Sequence, residues 1–188
     1  YPKTVSTAVA GTYEMEVPVG MNYQITASKG GDYLNGVSTL DLVLIQRHIL
    51  GLQVFDSPYK LIAADANNDG KVTASDLTDL RKLILGITNE LPKNASWRFP
   101  ISAQSMDATN PFPFVEQIAI SQILTNMSNQ NFVAVKIGDV NGNVSTNVSN
   151  PAVEGRSNRN VVMAVAEHTV AAGEVVEIPV TAANFSDV

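Results

Sequence analysis

One set of spacings recurs in this chain and restricts its fold more than any other feature. Leu42, Ile45, Ile49 and Leu52 follow at intervals of 3, 4 and 3, and Leu77, Leu80, Ile84 and Ile87 repeat those intervals 35 residues later. Such intervals mark one face of an α-helix. The correspondence extends to Asp41 and Asp76, to Arg47 and Lys82, and to Ile49-Leu50-Gly51 and Ile84-Leu85-Gly86. A loop–helix unit has therefore been duplicated. In each copy an Asp precedes the helix and a Gly ends it, the usual asymmetry of helix caps. Between the copies, Ser57-Pro58 followed by Tyr59 to Ala64 predicts a short helix, with Ser as cap and Pro in its first turn.

Outside the repeats the period changes from helical to alternating. Thr12 to Val17 and Tyr23 to Ala27 alternate and flank a turn-rich break, which predicts two antiparallel strands joined by a short loop. Trp97-Arg98-Phe99 alternates, and Phe132 to Ile137 predicts a strand. Asn110-Pro111-Phe112-Pro113-Phe114 cannot be a central strand, because proline lacks the ladder donor. Gln117 to Ile120 fits either a strand or a helix, Asn141 to Pro151 reads as a polar linker or exposed loop, and Val161–Ala166 and Val175–Thr181 read as two further strands. The fold class expected is α+β: a helical pair of loop–helix repeats flanked by antiparallel β segments. The first residue is Tyr and the last strand pattern breaks off at Val188, so the chain reads as a piece of a longer polypeptide.

Composition removes several function classes. There are no cysteines among the 188 residues, which excludes disulfides, thiolate metal sites and cysteine nucleophiles. The net charge of −6 argues against nucleic acid as a partner, since binding it requires basic patches. No apolar run is long enough for a membrane span. His48 and His168 have no acid or nucleophile at motif spacing, and no nucleophile elbow, P-loop or dinucleotide fingerprint occurs. The expectation is a chain that is not an enzyme, with His48 packed or solvated rather than a ligand.

The acids gather where the chemistry is. Asp65-Ala66-Asn67-Asn68-Asp69-Gly70-Lys71-Val72-Thr73-Ala74-Ser75-Asp76 is a twelve-residue loop of the pattern D-x-N-x-D-G-x-x-T-x-x-D. Calcium takes about 6–8 oxygens, and such a loop offers them from positions 1, 3, 5, 7, 9 and 12. Here those are Asp65, Asn67, Asp69, the Lys71 carbonyl, Thr73 and Asp76, with Gly70 at the sharp bend. The alternative is an Asn/Asp/Gly turn before a capped helix. The first repeat is degraded: Ser38 and Asp41 align with Thr73 and Asp76, but Asp32 and Asn35 precede them at a spacing two residues short. These four residues could surround a metal in a shortened loop, or merely cap a helix. A third fragment, Asp139, Asn141 and Asn143, has the D-x-N-x-N opening of a calcium loop without Gly at position 6 or an acid at position 12. Either it is an ordinary Asx turn, or it folds back and completes the short first loop, since each alone lacks oxygen ligands.

The duplicated loop–helix, with Asp rather than Glu at position 12, resembles the type I dockerin family over about residues 30–91. The resemblance implies two EF-hand-like calcium (Ca²⁺) loops and a partner of the cohesin class. Gly11 to Thr26 resembles the last strands of a carboxypeptidase-regulatory-like β-sandwich, and Glu174 to Asn184 the opening of a cohesin-like sandwich. The tract from Asp32 to Leu42, together with that from Val135 to Gly142, is similar to a dockerin-containing unit of giant secreted surface proteins of Bacteroidota. These resemblances imply four parts: the end of a β-sandwich over 1–29, dockerin-like repeats over 30–91, a β/loop extension packing on them over 92–150, and a linker with the start of a further β module over 151–188. They imply an extracellular or cell-surface location and a calcium-stabilised structural or adhesive module of a large multidomain protein. The competing expectation is a dockerin that docks a separate cohesin. Intramolecular β modules and a homo-oligomeric surface assembly are the other partners the reading allows.

Overall fold

Eleven residues are too few for a stable helix in water, so each repeat helix needs a packing partner. In the computed structural model, which describes residues 3–8, 10–146, 162–165 and 180–183, the two repeat helices supply one another's. Helix α1 spans Thr39–Ile49, α2 spans Pro58–Ala64 and α3 spans Ala74–Ile84, with α1 packed on α3. Ile45 of α1 and Leu77, Leu80 and Leu83 of α3 are buried, and Ile62, Ala63 and Ala64 of α2 join the same core.

The duplication persists in the caps. Leu52 donates its N–H to Arg47 O and Gly51 to His48 O; Ile87 donates to Lys82 O and Gly86 to Leu83 O, the same Schellman pattern in both copies. Each turn directs the chain away from the core. Leu52 and Ile87, the last members of the two apolar stripes, are therefore exposed rather than packed. At the other end, the caps are Ser38 and Thr73, and Asp41 and Asp76 sit three residues inside, their carboxylates accepting the cap N–H. The acids expected as caps thus lie one turn deeper.

The strands form two-stranded ribbons among the described residues. β1, Tyr23–Thr26, pairs antiparallel with β3, Gln117–Ile120, and not with Thr12 to Val17, where no strand forms. The reason lies in the break between them: Gly20 donates to Ile123 O and Ile123 to Met21 O, so this stretch lengthens the β1–β3 ladder instead of reversing the chain. β2, Trp97–Arg98, pairs with β4, Val135–Lys136, and an isolated bridge joins Ile101 to Phe132. The expected strand over 132–137 is thus reduced to its last part. Below β4, Ile137 donates to Ser96 O and Gly138 to Ala63 O, which seats the ribbon against the end of α2. All these elements belong to one unit, Tyr1–Pro151. A second unit, Ala152–Val188, contains β5, Val162–Val165, paired antiparallel with β6, Val180–Ala183. The expected strand residues 175–179 lie outside the described residues. Each sheet among the described residues has two strands.

Candidate metal centre

Loop 65–76 is held by its own carboxylates. Asp65 accepts the N–H of Asp69 on Oδ1 (3.0 Å) and that of Gly70 on Oδ2 (2.9 Å). Asn67 Oδ1 accepts the same Asp69 N–H at 3.0 Å, and Asp69 Oδ1 accepts from Lys71 N at 3.0 Å. Asp76 closes the loop from its far end: Oδ1 accepts from Asn67 N (3.0 Å) and Oδ2 from Thr73 N (2.8 Å) and Thr73 Oγ1 (3.3 Å). The side chains of Asp65, Asn67, Asp69, Thr73 and Asp76 thus converge on one loop, where the sequence places them; the Lys71 side chain is exposed.

The first repeat shows the same pattern, drawn from two distant segments. Asp139 Oδ1 accepts from Asn143 N at 3.2 Å and Oδ2 from Val144 N at 2.9 Å, as Asp65 accepts from Asp69 and Gly70. Asn141 Oδ1 accepts from Asn143 N at 3.0 Å, as Asn67 does from Asp69. Asp41 Oδ2 accepts from Ser38 N and Oγ, both at 2.9 Å, the counterpart of the Asp76–Thr73 pair. Its other oxygen, Oδ1, accepts the N–H of Asn141 (3.3 Å), 100 residues away, and that of Val140 (3.0 Å). Asn141 N therefore stands to Asp41 as Asn67 N stands to Asp76. The loop begins at 139–144 and finishes at 36–41.

Asn35 and Gly36 make the splice. Asn35 Oδ1 accepts from Ser145 N at 3.1 Å and its Nδ2 donates to Ser145 O at 2.8 Å, so the two segments are bound at their crossing. A Cβ on Gly36 would lie 2.8 Å from Val144 Cα. Asp32 stands outside this frame: its carboxylate is exposed and accepts from Asn35 Nδ2 at 2.6 Å, and Asp139 occupies the opening position of the loop instead.

Burial sets the electrostatics. Asp41 and Asp76 are fully buried and Asp65 nearly so. Loss of hydration pushes all three carboxyls above the usual range, and the N–H groups that donate to them resist. Neighbouring acids add to the rise, Asp139 on Asp41, and Asp69 on both Asp65 and Asp76. Charge is partly countered by Lys136, whose ammonium donates to Tyr33 O (2.8 Å) and Ile137 O (3.1 Å). Burial lowers its pKa to about 8, against the pull of Asp32, Asp139 and Asp41.

Among the described residues no three His, Cys, Asp or Glu side chains are grouped closely enough to hold a metal by themselves. The donors here are instead mixed, with carboxylate, carboxamide and hydroxyl oxygens in one loop, which is the chemistry a hard cation accepts. The continuous loop carries three carboxylates, Asp65, Asp69 and Asp76; the split one carries two, Asp41 and Asp139, with Asn143 in the place of Asp69.

Sequence reasoning missed the residues that brace these loops. Asn94 Nδ2 donates to Asp65 O at 2.8 Å, and Arg98 Nη1 donates to Asn68 Oδ1 at 2.6 Å. Asn94 opens an N-x-S triplet and Arg98 sits in no motif; neither pattern points to the loop, and only the fold brings them to it. His48 plays no part here: its Nδ1 accepts from Phe55 N at 3.1 Å and its ring stacks on Phe55.

No curated protein and no solved structure matches the chain. The family match begins at Asn35, where the chain enters the first loop from the splice, and so leaves out 139–144. Residues 35–85 match the dockerin type I domain model, a stretch that takes in both repeat helices and the 65–76 loop.

Proposed function

We propose that the chain is a calcium-stabilised structural module of a large extracellular or cell-surface protein, in which a dockerin-type helix pair is closed by one continuous and one split calcium loop. Dockerin modules bind calcium, and the mixed oxygen donors of both loops suit it. Asp65, Asn67, Asp69, the Lys71 carbonyl, Thr73 and Asp76 would hold one ion. Asp139, Asn141, Asn143, Ser38 and Asp41 would hold the other, with Asn35 tying the strands of the loop and Asp32 left outside. A bound ion supplies positive charge to buried carboxylates that otherwise repel, so its binding energy becomes folding energy. The observation that carries the reading is Asp41: one oxygen holds its own helix cap and the other holds Val140 and Asn141. An ion there would fasten the 92–146 extension to the helices. This favours a scaffold role, with flanking β segments held by calcium, over a free docking unit. Calorimetric titration of the chain tests it. Two ions bound without any partner agree with the proposal; no bound ion refutes it.

A second reading is docking of a separate cohesin, and exposed Leu40 and Val43 on α1 favour it. The equivalent early positions of α3 include Thr78 and Asp79, so the two faces differ and a symmetric two-way docking face does not follow. Binding of a cohesin to the calcium-loaded chain, lost on Val43→Asp, would establish that role.

A further inference from the structure

The segment from Asn94 to Glu116 touches the continuous calcium loop at three places. Asn94 Nδ2 donates to the carbonyl of Asp65, at the loop's first position. Arg98 Nη1 donates to Asn68 Oδ1 at the fourth, and Phe112 lies against Gly70 at the sixth, 3.7 Å from where a Cβ would be. Arg98 is itself held on every side. Its Nε donates to both Glu116 oxygens (2.9 and 3.0 Å) and its Nη2 to Oε2 at 2.6 Å. Its guanidinium lies over the Phe114 ring, 4.8 Å from the centroid, and Nη1 also donates to Asn94 Oδ1 at 3.3 Å. Glu116 in turn accepts the N–H of Phe99 at 2.8 Å, which ties the carboxylate to the end of β2.

The arrangement has a physical purpose. A guanidinium beside a cation site would repel the ion, but Glu116 is paired with it and offsets the charge. What Arg98 delivers to the loop is geometry. Asn68 has φ 58°, the left-handed region, and its side chain is otherwise exposed. Fixing that corner in advance reduces the ordering that ion binding would otherwise require.

We propose that Arg98 is a positioning residue for the 65–76 loop, so that the β/loop extension sets the calcium affinity of the helical repeat it wraps. This rests on the reading of 65–76 as a calcium loop. Arg98→Met should raise the Kd of the phase that Asp65→Ala abolishes by about tenfold, the worth of one charge-assisted hydrogen bond, and should speed release into chelator. Asn68→Gly keeps the positive φ and removes only the acceptor; it should give a similar increase, and the two changes together should be less than additive. Arg98→Lys should not restore affinity, since an ammonium cannot bind Glu116 as a fork and reach Asn68 as well. An Arg98 that merely packs would lower the melting temperature with and without calcium and leave Kd unchanged. That result, or an unchanged Kd in the exposed Asn68→Gly variant, overturns the proposal. Absence of any calcium phase in the unmodified chain would instead overturn the calcium reading beneath it.

Discussion

Three glycines distinguish a split loop from a chance crossing of two segments. Gly36, Gly51 and Gly86 have φ of 76°, 68° and 69°, so an added Cβ strains the backbone alike at all three. That strain costs about 1–2 kcal/mol per residue. At Gly51 and Gly86 the new methyl meets nothing within 4 Å, whereas at Gly36 it meets Val144 Cα and Cβ at 2.8 Å and Val144 N at 2.9 Å. Ordinary contact begins near 3.4 Å, so backbone must move by several tenths of an ångström, and overpacking of this kind costs about 1–3 kcal/mol more. Gly36→Ala should therefore destabilise by that increment beyond Gly51→Ala and Gly86→Ala. The assay is urea unfolding of the three variants, in chelator and in saturating calcium, with unfolding slopes compared to confirm an unchanged transition. The increment should be larger in calcium, because a displaced Val144 also carries the N–H that orders Asp139. Equal losses at Gly36 and Gly51 would refute the close approach of the two segments.

Chelation should lower the melting temperature of the chain by more than about 10 °C, as expected where bound ions supply folding energy; an unchanged calorimetric trace would count against structural calcium. In chelator, pH acts through Asp41, Asp65 and Asp76, whose carboxyls are raised chiefly by burial. Their folded values exceed the unfolded ones, so the stability these three groups contribute is full below about pH 4 and declines as pH rises through the raised values. Calcium should remove that decline, and a flat chelator profile would contradict the assignment. Glu116 behaves oppositely: burial raises it, but Arg98 and the Phe99 N–H together bring it below the usual range. Its contribution is present above the unfolded carboxyl value and disappears as pH falls through the lower folded one, which amide exchange at Phe99 would record. Finally, Asp41→Asn exchanges one acceptor oxygen for a donor among four N–H and O–H donors. In saturating calcium, where the carboxylate is held ionised, it should destabilise by about 2–4 kcal/mol, from buried donors left unpaired; a loss within 0.5 kcal/mol there, as is roughly usual for surface sites, would mean those bonds do not form.

What the sequence made legible was what is local. The helical spacing around Ile45 and Leu80 and the twelve-residue loop at 65–76 are contiguous patterns, and each lies where its period and chemistry put it. Leu52 and Ile87 extend the same stripe on paper, yet they lie beyond the glycine turn and face solvent. The alternation of Thr12 to Val17 suited a strand, but pairing depends on the partner, and Gln117–Ile120 holds β1. For the degraded loop, Asp32 was the nearest acid along the chain, whereas Asp139 is the acid that arrives in space. The D-x-N-x-N fragment at 139–143 hinted at this, because it lacked the acid that Asp41 provides. Arg98 gave no sign at all: a single arginine in an alternating run acquires meaning only when folding brings Asn68 and Glu116 to it.

Calcium titration of the Asp139→Ala and Asp65→Ala variants beside the unmodified chain tests the split loop most directly. Two ions should bind the unmodified chain, the tighter at the loop with three carboxylates, since affinity rises with ligand charge. Asp139→Ala, altered about 100 residues from the repeat whose site it would open, should abolish the weaker phase and leave the tighter one; Asp65→Ala should do the reverse. Unchanged stoichiometry and affinity in Asp139→Ala would show that 36–41 and 139–144 do not form one calcium site.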